Sequence, residues 1–185
     1  MTLRLCSDLT AADWIATSDV DWHHLLTFGP GGFAAYARLR FIPDPVRPGQ
    51  QEADYEGPAG DLTDTEKMGF ALETLARHTT TPEDCYFALW DGWGDAFPAP
   101  KVLLPEREFF LFRGPLTSYG DDGVRDDLQP PAFVWPADHA WCLTADVDPH
   151  WAGVGASAAA VADLLTDTRV DVVRADPAAV QPFYY

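Results

Sequence analysis

Residues 130–147, PPAFVWPADHAWCLTADV, decide the fold. The stretch contains three large aromatic residues, two acids, a histidine and a cysteine. Short aromatic and β-branched runs on either side of a polar turn are typical of paired strands, so we predict a strand pair here. Two further aromatic runs, at residues 85–93 and 109–112, are the predicted neighbours of this pair in one sheet.

The segments around this sheet carry start signals for helices. Thr63 and Glu66 form a capping box, in which each side chain binds the backbone N–H of the other residue, and this predicts a helix to about His78. Ser157 is a favoured N-cap for the AAAVADLL segment that follows, so we interpret residues 153–157 as the entry to that helix. Two shorter helices are predicted near residues 10–15 and 19–26.

Alternating or apolar runs predict further strands at residues 33–42, 101–104, 107–113 and 170–174. The resulting order is helices, sheet, helix and strand. This order predicts an α+β fold in which residues 1–185 form a single domain, with two to four helices packed on a mostly antiparallel, aromatic-rich sheet.

Residues 43–61, PDPVRPGQQEADYEGPAGD, are polar and rich in proline and glycine, which predicts a long acidic surface loop. Loops of this length are uncommon inside a compact domain. The loop is therefore functional, an insertion or a disordered segment, and the sequence leaves these three alternatives open.

The formal net charge of −17 restricts the classes of partner. Nucleic acids and anionic lipid surfaces are polyanions, which such a protein surface repels. We therefore expect neither nucleic acid nor a membrane as a partner. A basic protein or a small cationic ligand is favoured electrostatically.

Cysteine usage and hydropathy predict a cytoplasmic location. The three cysteines, Cys6, Cys85 and Cys142, are odd in number, and the last two lie in apolar runs, where cysteine is usually a small buried hydrophobe. The chain shows no apolar core after a basic start, and no run approaches the about 18 apolar residues of a membrane span. A reduced compartment is therefore the expectation.

Aromatic side chains in turn-rich segments are the unusual feature of this sequence, which contains seven tryptophans. Exposed aromatic rings beside carboxylates form ligand clefts or protein-binding patches. For Trp93 and Trp135 a binding role and a packing role both stay open. The candidate ligand-binding residues are Trp93, Asp95, Tyr119, Trp135, Asp138 and His139.

Asp91, Asp138 and His139 are the candidate catalytic residues if the protein is an enzyme, as general acids or bases of a small hydrolase or isomerase. The alternative for His139 is a surface or hydrogen-bonded histidine, which we favour because no nucleophile is identified. Clustered carboxylates also bind divalent metals. The sequence contains no D-x-D-x-D-G loop and no His-x₃-His or Cys-x₂-Cys spacing, so we predict neither a metal site nor a cofactor.

Three motifs, FALWDGWG at residues 87–94, FFLFRGPL at 109–116 and WPADHAWC at 135–142, resemble a group of uncharacterised actinobacterial proteins. That group has the order F-x-L-W-D-G-W-G, F-L-F-x-G-P-L and W-W-P-x-D-x-A-W, followed by a small-residue G-S helix start, as at residues 155–157 here. The resemblance covers about residues 63–175 and implies a shared fold without an assigned activity. Val134 stands where that pattern has another tryptophan, and His139 where arginine is usual.

These features favour a non-enzymatic binding domain with an aromatic groove rimmed by carboxylates. One version is an immunity or antitoxin-type partner of a basic toxin, because an acidic domain is suited to covering a cationic active site. The alternatives are the small hydrolase or isomerase and a structural homodimer joined through aromatic surface.

Overall fold

The computed structural model describes residues 3–58, 60–94, 96–119 and 130–185. Within these ranges, nine strands form one sheet, and every strand pair in it is antiparallel. The strands are β1 (Arg4–Leu5), β2 (Ala35–Arg40), β3 (Cys85–Trp90), β4 (Lys101–Leu104), β5 (Arg107–Gly114), β6 (Phe133–Pro136), β7 (Cys142–Thr144), β8 (Trp151–Ala156) and β9 (Val172–Ala175). The helices are α1 (Asp13–Ala16), α2 (Trp22–Phe28), α3 (Asp64–Leu75) and α4 (Ala158–Thr166). The predicted α+β class with a mostly antiparallel sheet is confirmed.

The predicted strand pair lies at the middle of this sheet. Strands follow one another in the order β1, β5, β3, β6, β7, β8, β2 and β9, and β4 pairs with β5 beside β1. β6 and β7 pair with each other, with Phe133 opposite Thr144 and Val134 opposite Leu143. β3 joins this pair on one side and carries β5 on its other edge, so both predicted aromatic neighbours are in the expected places.

Both faces of the sheet are covered, and adjacent residues of one strand enter different cores. In β6, Val134 belongs to the core under α3 and α4, whereas Phe133 and Trp135 belong to the core under α1 and α2. Successive side chains of a strand point to opposite faces, which explains this division. The FVW run is therefore apolar throughout because neither of its faces meets solvent.

Two strands were missed by the sequence analysis, namely β1 and β8, and it interpreted residues 153–157 of the latter region as the entry to a helix. The structure shows that residues 151–156 form β8, which pairs with β7 and β2. A Cβ on Gly153 would lie 1.8 Å from the carbonyl oxygen of Thr27, so only glycine lets α2 approach the strand this closely. The same Thr27 oxygen accepts a 2.6 Å hydrogen bond from the Thr144 hydroxyl.

The two longer predicted helices are capped as expected. The hydroxyl of Thr63 accepts from the backbone N–H of Glu66, and the Glu66 carboxylate accepts from the N–H of Thr63, which completes the capping box of α3. The Ser157 side chain accepts from the N–H of Ala160 and caps α4. These caps fix where the polypeptide enters each helix. The cap of α3 therefore also fixes the positions of the residues on either side of Thr63.

We expect Gly153→Ala to lower the free energy of unfolding by about 3 kcal/mol or more, because the added methyl group overlaps a backbone oxygen that cannot move without displacing α2. Gly69→Ala is the matched control, since its Cβ would be 3.6 Å from the Tyr119 ring. That change lies in α3 and should be neutral or stabilising by up to about 1 kcal/mol. Urea unfolding measures both, and a Gly153→Ala protein as stable as wild type would contradict the close docking of α2.

Candidate functional site

A concave site of about 210 Å³ lies where β3 ends, and we call it the Trp90–Trp93 groove. One wall is formed by the end of β3 and the turn that follows it, and another by the segment after β7. The third wall comes from the 43–58 segment and the start of α3. The polar and aromatic residues lining the groove are Phe41, Glu52, Asp64, Trp90, Trp93, Asp146, Asp148 and His150.

Two tryptophan rings form the aromatic part of this groove. Trp93 is 43% exposed, whereas Trp90 is half-buried, and their ring centroids are 5.5 Å apart in an edge-to-face arrangement. A Cβ on Gly92 would lie 2.1 Å from the Trp90 ring, so glycine is required for the turn to close over that ring. The turn thereby leaves the Trp93 ring facing solvent at the edge of the groove.

Arg107 is a positively charged residue of this chain that lies beside the groove. Its guanidinium lies 5.0 Å from the centroid of the Trp90 ring. Its Nε is 3.6 Å from the Asp146 carboxylate, and its Nη2 is 3.8 Å from the carboxylate of Asp148, which is 82% exposed. Arg107 therefore compensates the charge of Asp146 and contributes little to Asp148, because solvent screens the longer, exposed pair.

The opposite side of the groove has carboxylates without such compensation. Among the residues that the structure describes, neither Glu52 nor Asp64 makes a side-chain hydrogen bond or an ion pair. Lys67 is the nearby cation, but its ammonium group binds the Phe41 carbonyl at 2.7 Å and the Asp61 carboxylate at 3.0 Å. This side of the groove therefore keeps a net negative charge.

The pKa of Asp64 is raised, first by desolvation and then by neighbouring negative charge. The groove wall removes part of the hydration of this carboxylate, and this desolvation raises its pKa. Lys67 lowers the pKa of Asp64, while the negative charges of Glu52 and Asp61 raise it further. A cation entering the groove would stabilise the ionised form of Asp64.

Asp44 anchors the predicted 43–61 loop beside the groove. Its two oxygens accept from Arg38 at 2.6 and 3.0 Å, and one of them accepts from Arg40 at 3.1 Å. His150 Nε2 lies 3.1 Å from the other oxygen. Desolvation alone would raise the pKa of Asp44, but the hydrogen bonds from Arg38 and His150 outweigh it and lower the pKa to about 2.

Tyr184 closes over this cluster. Its ring meets the buried His150 ring edge-on at 4.8 Å, and its hydroxyl donates to the Pro43 carbonyl at 2.7 Å. Burial lowers the pKa of His150, while the hydrogen bond to Asp44 raises it. These contacts hold three parts of the chain together beside the groove, namely β2, the segment after Pro43 and the residues around Tyr184.

The structure places the predicted binding residues at separate sites. Trp93 lines the groove, and Asp95 lies outside the described residues. Trp135 is 0% exposed and stacks on Tyr86 with centroids 5.5 Å apart, so the packing interpretation holds for it. Tyr119 lines a different concavity beside α3, and its hydroxyl donates to the Thr65 carbonyl at 3.2 Å.

The three residues predicted as catalytic for the case that the protein is an enzyme, Asp91, Asp138 and His139, do not converge in the structure. Cys85, at the start of β3, pairs with Pro136, so Asp138 and His139 lie beyond that end of the strand. Asp91 follows the other end of the same strand. At the rise of a β-strand, six residues separate the two ends by about 20 Å.

Asp138 and His139 have structural partners at their end of the sheet. The Asp138 carboxylate accepts from the Thr79 hydroxyl at 2.7 Å and from the N–H and hydroxyl of Thr80 at 2.7 and 2.8 Å. His139 has a positive φ of 53° and stacks on the Trp14 ring at 4.0 Å. Desolvation lowers the pKa of His139 and the charge of Asp138 raises it. The alternative of a surface histidine agrees with these contacts.

The sequence analysis missed Glu52, Asp64, Trp90 and Arg107 as parts of the site. Trp90 was predicted only as part of the aromatic strand run at residues 85–93, and Asp64 only as part of the first turn of a helix. The unusual length and acidity of residues 43–61 were the available signal for Glu52. Arg107 had no sequence signal, because its role depends on the Trp90 ring, with which it shares no local motif.

Over the described ranges, no group of three or more His, Cys, Asp or Glu side chains has a geometry that could hold a metal ion. None of the helices there has the length and apolar character needed to cross a membrane. Comparisons with protein-family models, curated proteins and solved structures gave no match. The resemblance to actinobacterial proteins therefore stays a prediction based on its three motifs.

We expect Asp44→Asn to lower the free energy of unfolding by about 2 kcal/mol at pH 7, because the pKa of Asp44 is lowered from 3.8 to about 2. A lowered carboxylate pKa stabilises the folded state above pH 4, and about half of this difference should be lost by pH 3. Urea unfolding at both pH values measures it.

Asp171→Asn is the matched control, because Asp171 pairs with Arg40 alone and is half-exposed. We expect it to cost less than about 1 kcal/mol. Equal losses from the two variants at pH 7, or an Asp44→Asn loss that does not shrink in acid, would contradict the anchoring role of Asp44.

Proposed function

We propose that this protein is a non-enzymatic, cytoplasmic binding domain that captures a cationic side chain of a basic protein partner in the Trp90–Trp93 groove. The observation that carries the proposal is the combination of the exposed Trp93 ring with the uncompensated carboxylates of Glu52 and Asp64 in one concavity. Aromatic faces and carboxylates both attract cations, and their effects add when a groove removes solvent.

The size of the groove favours a protein partner over a free small molecule. Its volume is about 210 Å³, below the range of about 300–1,000 Å³ that is typical for ligand pockets. One long side chain fits such a volume, and the remaining affinity would then come from the surface around it.

The overall charge supports the same class of partner. A net charge of −17 attracts a basic protein over a long range and raises its rate of association. Two copies of the chain would repel each other, so a basic partner is favoured over a homodimer. The immunity or antitoxin version of this proposal fits an acidic surface that covers a cationic active site.

The proposal is tested by titrating the protein with a capped peptide of alternating arginine and lysine, followed by tryptophan fluorescence. Trp93→Ala should weaken binding by about fivefold, the effect of losing about 1 kcal/mol of cation–π attraction. Leu103→Ala is the control, because Leu103 is 66% exposed on β4 and does not line the groove. It should leave the affinity unchanged.

Affinity should also fall steeply between about 20 and about 300 mM salt, because screening shortens the range of the attraction. An affinity that does not respond to salt would rule out electrostatic capture. Equal weakening by Trp93→Ala and Leu103→Ala would place binding elsewhere on the surface.

A further inference from the structure

Five cations of the described ranges share one arrangement, in which the charged group lies over an aromatic ring and pairs with a carboxylate at the same time. Over the described ranges, five cations lie over a ring, and each of the five also has a carboxylate partner. Four of them are arginines, and they are Arg38, Arg107, Arg113 and Arg169. The fifth is Lys101.

The chain has ten arginines and two lysines, so these counts show no preference of their own, and the reason to expect arginine in such an arrangement is chemical. A guanidinium group is planar, stacks on a ring, and presents several N–H donors that match the two oxygens of a carboxylate. It is also less strongly hydrated than an ammonium group, so it loses less on entering a partly dry site. Arg38 illustrates the arrangement, with its guanidinium 5.4 Å from the Trp151 ring and 2.6 Å from Asp44.

This arrangement occurs once in full beside the Trp90–Trp93 groove, where Trp90 and Asp146 line the groove and Arg107 contacts both. Arg107 lies over Trp90 and pairs with Asp146 at the groove wall. On the other side, Trp93 supplies a ring, and Glu52 and Asp64 supply carboxylates, but no cation of the described chain lies over Trp93 or pairs with those two acids. The aromatic ring and the carboxylates of the arrangement are therefore present on this side of the groove without the cation.

We propose that an arginine side chain of the partner completes this arrangement, with its guanidinium over the Trp93 ring and paired with Asp64 and Glu52. The inference rests on the proposed function and names the side chain that the groove selects. The pKa of Asp64, which is raised first by desolvation and further by the charges of Glu52 and Asp61, agrees with it, since a guanidinium beside this carboxylate would stabilise its ionised form.

The test compares capped tetra-arginine with capped tetra-lysine at equal ionic strength, by calorimetric titration of the full chain. We expect tetra-arginine to bind on the order of fivefold more tightly than tetra-lysine. The double variant Glu52→Gln/Asp64→Asn should lose this preference. Asp19→Asn/Glu83→Gln removes the same charge from exposed acids outside the groove and should keep it.

Three outcomes separate the inference from the proposed function. Equal affinities for the two peptides would overturn the selection of arginine and leave capture of a cation intact. A preference for arginine that survives in the Glu52→Gln/Asp64→Asn protein would overturn the role of these two acids. Binding of neither peptide would overturn the proposed function itself. Trp93→Ala should also abolish the preference, and circular dichroism verifies that each variant is folded.

Discussion

The coverage of both sheet faces is the constraint on which the rest of this structure depends. Because neighbouring residues of β3, β6 and β7 enter two different cores, these strands are mostly apolar, and most of their large rings are buried. Trp135 and Trp141 are both fully buried, on opposite faces of the sheet. At the end of β3 the polypeptide leaves the sheet, and there the Trp93 ring meets solvent.

The groove follows from how the polypeptide leaves β3. The turn closes over Trp90, which requires glycine at position 92, and it directs Trp93 outward. Asp146 and Asp148 reach the same place because β6 separates β7 from β3 and is antiparallel to both, so β3 and β7 run in the same direction and end at the same edge of the sheet. An aromatic hollow with a negative rim is therefore present, but it is built from fewer exposed rings than their number in the sequence indicated.

The carboxylates in and beside the groove differ in how far neighbouring cations compensate their charge. Asp44 is surrounded by two arginines and a histidine, and it fixes the loop that carries Glu52. Glu52 and Asp64 have no comparable partners in the described ranges. Desolvation raises the pKa of Asp64, so a cation that pairs with this carboxylate would stabilise its ionised form.

The sequence by itself determined the α+β class, the strand pair at β6 and β7, and the capping of α3 and α4, because these depend on local patterns of side chains. It did not reveal β8, since glycine disfavours strands locally, and only the carbonyl of Thr27 explains Gly153. Nor did it assemble the groove, whose Glu52, Trp93 and Asp146 are far apart in the chain. Tertiary structure alone decided which carboxylates have an arginine partner, because ion pairing depends on distance in space and is independent of sequence separation.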